Sequence, residues 1–310
     1  MTEHDVLRAH LTSRWKLDDL QLVGQGLEFT VFRAVAPDGC PVALRLAGQR
    51  FSSNVNDPHV DVRNLLIQEY RITRHLAAAG FAVAEPIELH LSDHDGEPDM
   101  LMARYVPDDG SRLDGRLLGS TLARLHRLPP PPLTPVAAEE TGTPQVLTAR
   151  VLRRWAEVGC LISDWPAPPA ASALSAALDR IGTAGLVHLD VRSANVRRCN
   201  GRVEALLDWS NTLLGDATVE FGRLIEYARY PENELDLADI RDGYVRTSPL
   251  PPDDDPATLA CRLDAALMLA LVFLSEAPDP LRGPAAADHA RELGERFAAS
   301  LSLQEHPWST

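Results

Sequence analysis

The sequence predicts an α+β chain in two lobes: a small antiparallel-sheet half with one helix, then a larger and mainly helical half. Three observations predict it. The first hundred residues hold five short runs of apolar and β-branched residues between glycine-containing turns, with one amphipathic helix among them. The polar stretch PDDG at 107–110 then reads as a linker. Beyond it, most segments repeat apolar residues at helical spacing. Strands first and helices after is the order of an α+β protein. The division is 1–106 for the first lobe, 107–112 for the linker and 113–310 for the second lobe.

Residues 5–16 form a short helix. The runs 22–35 and 42–46 make three antiparallel strands, because Gly24-x-Gly26 and Asp38-Gly39 turn the chain twice. Residues 47–61 are polar and irregular and read as a mobile loop. Over 62–79, Leu65, Leu66, Tyr70, Thr73 and Leu76 share one helical face, and Gly80 stops the helix. Strands follow at 87–91 and 100–106, joined by a polar turn at 92–97. That turn holds His94 and Asp95 near His90 and Asp93, and reads as a solvated hairpin rather than a metal site, since the apolar frame is missing.

In the second lobe a helix spans 113–127 and the prolines of 128–135 end it. Residues 136–145 are a loop, and 146–160 and 170–183 are helices. Asp216 is placed to cap a helix running to Tyr227. Acidic residues 233–246 read as helical, and two long helices at 257–276 and 284–302 close the chain.

Between these helices lies the stretch the chemistry points to, LVHLDVRSANVRRCNGRVEALLDW at 186–209. An apolar run leads into His188-x-Asp190-x4-Asn195, the turn pair Asn200-Gly201 follows, and an apolar strand delivers Asp208. Phosphoryl transfer needs such a set: one carboxylate to orient a hydroxyl and take its proton, and a carboxamide with a second carboxylate to hold Mg²⁺ on the phosphates. The kinase pattern H-R-D-x4-N with a following Asp has this spacing. Here the partner is Leu207-Asp208-Trp209 instead of Asp-Phe-Gly.

Whole-chain properties exclude several alternatives. The net charge of −14 argues against nucleic acid and anionic membrane as partners, since both carry negative charge. The four cysteines are far apart and contain no Cys-x-x-Cys, so neither a zinc site nor a disulfide framework is indicated. The N-terminus lacks the apolar core of a signal peptide, and no apolar run approaches the ~18 residues that span a bilayer. A cytoplasmic location is expected. Lysine occurs once, at Lys16.

Taken together, GQGLEFTVF, VALR, Glu69 within a helix, LGSTLARLH, HLDVRSAN, LLDW and GDATVEFGRL resemble the aminoglycoside phosphotransferase family of small-molecule kinases. The resemblance spans nearly the whole chain. It implies the bilobal protein-kinase-like fold, with a nucleotide-binding first lobe and a catalytic, acceptor-binding second lobe. It implies Asp190 as catalytic base and Arg192 as a contact to the transferring phosphoryl group. Asn195 and Asp208 become Mg²⁺ ligands, Gly24 and Gly26 part of the loop over the phosphates, and Glu69 the partner of the third-strand cation. Three positions depart from the family pattern: Arg45 stands where it has lysine, Phe29 where a third glycine falls, and Glu220 where it has aspartate.

The expected function is transfer of the γ-phosphoryl group of ATP or GTP, with Mg²⁺, to a hydroxyl of a small molecule. An antibiotic is the leading acceptor. A primary metabolite such as an amino alcohol or a sugar is the alternative, and a non-catalytic nucleotide-binding protein is the reading from another class, for which Arg45 speaks. The acidic segments 232–242 and 253–255 leave room for a cationic acceptor.

Overall fold

The structure is a computed structural model, which describes residues 3–94, 97–138 and 141–305. The expected turns at 92–97 and 136–145 fall partly outside these residues, at 95–96 and 139–140.

The first lobe is built on a five-stranded antiparallel sheet in the order β1-β2-β3-β7-β6. Helix α1 (Glu3–Trp15) precedes β1 (Asp18–Gln25), β2 (Phe29–Val35) and β3 (Pro41–Ala47). Two short strands, β4 (Phe51–Ser52) and β5 (Val60–Asp61), pair with each other before α2 (Val62–Ala78), and β6 (Pro86–His90) and β7 (Met100–Arg104) complete the sheet. Alternation along β3 sorts its residues to two faces. Val42, Leu44 and Leu46 pack with Leu11, Phe32 and Met102, while Ala47 packs with Leu65 and Leu66 of α2 and with Leu101. Arg45, on the same side of the strand as Ala47, therefore faces α2.

The segment 47–61 is more ordered than its polar composition predicts. Besides carrying β4 and β5, it reaches across to the second lobe. There the side-chain amide of Asn56 donates to the Met268 carbonyl (3.2 Å) and to Glu276 (3.0 Å), and Arg153 donates to the Val55 carbonyl (2.8 Å) and to that of Asn56.

Residues 105–114 form no helix or strand and are stitched to the second lobe, where Asp109 N–H donates to the Arg198 carbonyl (3.1 Å). Then come α3 (Gly115–Leu125), a 3₁₀ turn at Val136–Ala138, α4 (Thr143–Leu161) and α5 (Ala171–Leu178). Next are β8 (Gly185–Val187), β9 (Val196–Cys199), β10 (Arg202–Leu206) and β11 (Leu213–Gly215), followed by α6 (Ala217–Tyr227), α7 (Leu237–Val245), α8 (Pro256–Leu271) and α9 (Arg282–Glu305). Strands β9 and β10 form a hairpin whose turn residues Asn200 and Gly201 both have positive φ (51° and 76°), the twist a two-residue hairpin requires. The pairing of β11 with β8 was not legible in the sequence, since three residues are too few to show alternation. Helix α7 begins later than 233, because Asp236 caps it and Glu234 before it is left-handed (φ 51°). Asp216 caps α6 as the spacing predicts, its carboxylate accepting Thr218 N–H at 2.8 Å.

Helix α8 runs through the second-lobe core, packed by α4, α6 and α9. With the turn after it, Pro256–Glu276 is long and apolar enough to cross a membrane (21 residues, mean hydropathy 1.9), contrary to the reading of the sequence. The few charges inside it, Arg262 and Asp264, break the run to the eye, but the leucines and alanines around them keep the mean high. Of that window 78% is buried inside the protein, the pattern of a core helix apolar on all sides.

Helices α3 and α7 cross at backbone contact. A Cβ added to Gly119 would lie 1.9 Å from the Ile240 carbonyl oxygen, and one on Gly243 2.0 Å from that of Arg116. Gly119→Ala is expected to destabilise the protein by about 1–3 kcal/mol or more through overpacking. Gly48→Ala, with nothing within 4 Å of the added carbon, is expected to stay within about 0.5 kcal/mol. Urea unfolding midpoints of the two variants check this.

Candidate active site

Asp190 follows β8 in a loop whose backbone is unusual and heavily held. Leu189 is buried with φ 62°, a left-handed conformation costly for a branched residue. The carboxylate of Glu220, fully buried on α6, accepts His188 N–H (2.6 Å) and Leu189 N–H (3.0 Å). His188 closes the loop on itself. Its Nδ1 accepts Asp190 N–H (3.1 Å), which leaves the proton on Nε2 to be donated to the Leu207 carbonyl (3.0 Å). The ring also meets Trp209 edge-on at 4.5 Å. His188 thus orients the loop and does not face the cleft as an acid or base.

Three donors fix the Asp190 carboxylate. Asn195 Nδ2 donates to Oδ2 (2.6 Å), the Tyr227 hydroxyl to Oδ1 (2.9 Å), and Arg192 Nε to Oδ1 (3.1 Å) with a longer contact to Oδ2 (3.4 Å). Burial, then the Asp190 charge, push the Tyr227 phenol well above its ordinary value, so it remains a donor. Arg192, expected on the transferring phosphoryl group, lies on Asp190 in this structure, its side chain 42% exposed.

Asn195 and Asp208 are brought together by the backbone: Leu207 N–H donates to the Asn195 carbonyl at 2.8 Å. Asp208 has φ 65° and is grasped by the first lobe. Arg45 donates to its Oδ1 (2.8 Å) and to Ser210 Oγ (3.0 Å), lies 3.3 Å from Glu69, and stacks on the Phe29 ring at 4.0 Å. Burial pushes the Asp208 carboxyl up, but the charge and hydrogen bond of Arg45, with Ser210, outweigh it and hold the group at about 2. Glu69 goes the other way. Burial raises it, Arg45 offsets only part of that, and repulsion from Asp208 adds to it, leaving the group at about 7. Arg45 therefore serves Asp208 more closely than Glu69.

The donor set fits a hard divalent cation. With its amide nitrogen committed to Asp190, Asn195 keeps Oδ1 free, and with Oδ1 committed to Arg45, Asp208 keeps Oδ2 free. Mg²⁺ is commonly held by one or two such oxygens, with water and phosphate completing its shell.

Gly24 lies in β1 and Gly26 just past it, where Gly26 N–H donates to the Phe29 carbonyl (2.8 Å). Neither has positive φ, and a Cβ on either would meet only ordinary contacts at 3.7–3.9 Å. The protein's own packing does not require glycine there.

Gly26, Asp190, Arg192 and Asp208 line one cleft between the lobes of about 1550 Å³. Gly24, Arg45, Glu69 and Asn195 are not among its lining residues and act on it through the contacts above. A single drug-sized ligand occupies roughly 300–1,000 Å³, so the cleft has room for two molecules. Sequence reasoning missed Tyr227, Ser210 and Gln68. Gln68 donates to the Trp209 and Ser210 carbonyls (2.8 and 3.2 Å) and accepts Val136 N–H (2.7 Å). Tyr227 had a signal: with Glu220 and Arg223 it falls at i, i+3, i+7, one face of α6.

The two-lobed fold, with a strand lobe and a helical lobe around a cleft whose wall holds a buried, oriented carboxylate, is that of the small-molecule kinases. The chain belongs to the phosphotransferase enzyme family (APH), whose sequence model matches residues 19–258. Similar solved structures include aminoglycoside phosphotransferase APH(4)-Ia in complex with ADP and hygromycin B (16% identity, 94% of this chain and 97% of that one, TM-score 0.61). Macrolide 2′-phosphotransferase MphH from Brachybacterium faecium is another (21% identity, 91% and 96%, TM-score 0.55). So is the streptomycin–ATP–APH(2″)-IIa complex (13% identity, 90% and 94%, TM-score 0.57). At these identities the likeness establishes the fold. No curated protein sequence matches the chain.

Glu220→Gln leaves one acceptor oxygen for two backbone N–H groups. It is expected to lower kcat by up to about a hundredfold through misplacement of Asp190 and to cost about 1–3 kcal/mol of stability. Burial raises the Glu220 carboxyl, but His126, through its hydrogen bond and charge, and then His188 outweigh it and hold it below 4.5. A carboxyl lowered by folding contributes stability above its unfolded value that is lost as pH falls through the folded one. The stability gap between wild type and Glu220→Gln is therefore expected to shrink below about pH 4.5, read from urea unfolding as a function of pH.

Proposed function

We propose that the protein transfers the γ-phosphoryl group of ATP to a hydroxyl of an antibiotic, with Mg²⁺ held by Asn195 Oδ1 and Asp208 Oδ2. The single observation that carries the reading is the Asp190 carboxylate, buried and oriented by three donors in the wall of a cleft with room for two molecules. The structures named above, solved with ADP and hygromycin B and with streptomycin and ATP, support a nucleotide donor and a small-molecule acceptor. A divalent cation bound here supplies charge neutralisation on the phosphates.

The residues of the chain divide the remaining work. Asp190 takes the hydroxyl proton as the new P–O bond forms and the bond from the γ-phosphorus to the bridging oxygen breaks, ADP leaving with the electron pair. A carboxylate offers about four acceptor positions, and the contacts from Arg192, Asn195 and Tyr227 fill them. The incoming hydroxyl has to displace one. Arg192 is the donor to yield, being the most exposed and the one with the 3.4 Å contact. Once released, its guanidinium can meet the transferring group, whose oxygens suit a planar two-pronged donor. Asn195 and Tyr227 stay and keep the base aimed. Glycine at 24 and 26, not demanded by internal packing, suits close approach of phosphate to the backbone.

The test is a panel of hydroxyl-bearing antibiotics, amino alcohols and sugars, incubated with Mg²⁺ and either ATP or GTP, and scored by mass gain of one phosphate. An antibiotic product with ATP is expected. Asp190→Asn is expected to lower turnover by about 10²–10⁴-fold while ADP affinity stays within a few-fold. Undiminished transfer by that variant would remove Asp190 from the mechanism, and a product only from amino alcohols or sugars would remove the antibiotic.

A further inference from the structure

Away from Arg45 and Asp208, the cleft is walled by a cluster of arginines around one acid. Asp264 of α8, buried, holds Arg154 of α4 at 2.7 Å and Arg223 of α6 at 3.4 Å. One helical turn before Arg154, Arg150 points a third guanidinium at the same place. It is 8% exposed and lines the cleft, yet makes no hydrogen bond or ion pair with any described residue. Burial, followed by repulsion from Arg154, pulls its pKa down to about 10, the attraction of Asp264 and of half-exposed Asp57 notwithstanding. Two guanidiniums thus pair with one buried carboxylate, and the third faces the cleft beside them.

Buried charge without a partner is costly, and nothing in the fold calls for this one. An apolar side chain of similar length would fill the space between α4 and the cleft. Of the acids that line the cleft, Asp57 attracts Arg150 without pairing with it and lies against Arg153 and Arg154 (4.0 and 3.9 Å). Glu232 is paired with Arg282 and Glu276 accepts from Asn56, while Asp190 and Asp208 are held as described. The acidic segments that suggested a cationic acceptor are largely spent on arginines of the chain: Asp239 and Asp242 on Arg116, Asp253 on Arg241, and Asp254 on Arg296.

The position of Arg150 assigns it to the acceptor's side. The cluster connects to the base through Arg223, whose guanidinium lies 5.7 Å from the ring of Tyr227, the residue that donates to Asp190. None of the three arginines contacts Arg45, Glu69 or Asp208, where the phosphates of the donor are placed by the proposed function. Next to the cluster, α8 ends in a π-helical turn, Val272–Glu276, which brings Val272 and Phe273 to the cleft beside Tyr230. Such turns recur at functional sites.

We propose that Arg150 is the anion-binding residue of the acceptor subsite, so that the acceptor is a hydroxyl compound with an apolar body and a carboxylate, phosphate or sulfate group. This rests on the reading of the cleft as a kinase site and narrows its acceptor. An acidic group seated on Arg150 supplies the missing partner, and guanidinium binds such planar or tetrahedral oxyanions in two-pronged fashion.

The experiment fills the donor half with ADP and Mg²⁺ and titrates inorganic phosphate, sulfate and benzoate, each at millimolar concentration, by calorimetry. Wild type is expected to bind at least one of the three, and which one distinguishes phosphate, sulfate and carboxylate as the source. Arg150→Gln is expected to weaken that binding tenfold or more, Arg150→Lys less, and neither to change ADP affinity by more than a few-fold. Without anion, Arg150→Met is expected to melt a few degrees above wild type, because it removes an unanswered buried charge. Equal anion affinity in wild type and Arg150→Gln, or no binding of any of the three anions, overturns the proposal. ATP turnover indifferent to Asp190→Asn overturns the kinase reading instead, and the anion titration is scored independently of it.

Discussion

At the site, a single guanidinium joins the charges of the two halves of this protein. Arg45 leaves the sheet of the first lobe between Glu69 of its own lobe and Asp208 of the other, with the Phe29 ring beneath it. Removing it would strand the buried carboxylate of Glu69 beside the part-exposed one of Asp208, a loss below the roughly 3–5 kcal/mol of a fully buried broken pair. A lysine ammonium is a compact point charge on a flexible stem, whereas the arginine fork reaches Asp208 and Ser210 with one nitrogen and Glu69 with another. The residue that stands out in the sequence as a departure is therefore one of the ties between the lobes. It also leaves Asp208 Oδ2, the oxygen proposed to face a cation, uncommitted by any described residue.

The second lobe answers with a loop held against its own strain. Leu189 and Asp208 are both left-handed, and such residues cost about 1–3 kcal/mol each unless their surroundings leave no alternative. Glu220 accepts the two N–H groups that flank the bend at Leu189, and His188 ties the same bend to the backbone before Asp208. One acid on α6 and one imidazole thus carry the conformation that presents Asp190. Burial keeps these bonds short and dry, so the loop is set before any ligand arrives.

Much of this was legible in the sequence because it is local. The stretch 186–209 carries its own strand, turn and acid, the Asn200-Gly201 turn follows from the φ it demands, and Asp216 caps the helix it precedes. Arg45 was marked by its strand and by the absence of lysine around it. What stayed hidden is what tertiary packing decides. Gln68 and Ser210 look like ordinary polar residues until the lobes close on them. The polar segment 47–61 reads as free, because its clasps, Arg153 and Glu276, lie about 100 and 220 residues further on. Arg150 looks like any helix arginine, since neither burial nor the lack of a partner is written in its neighbours. The apolar character of α8 was diluted by Arg262 and Asp264, which the fold buries along with everything around them.

The use of arginine throughout has a bearing on how this cleft can be captured chemically. The sole lysine, Lys16, lies outside the cleft, and no cysteine lines it: Cys40, Cys160 and Cys199 face solvent elsewhere and Cys261 is buried in the core. Guanidinium stays protonated in proteins and resists the acylating groups that trap an amine beside bound phosphates. Electrophilic nucleotide analogues that label a strand lysine would leave this enzyme unmarked. An irreversible ligand for it would have to attack a carboxylate, a hydroxyl or the His59 imidazole of the lining, and any other must hold on by shape and charge.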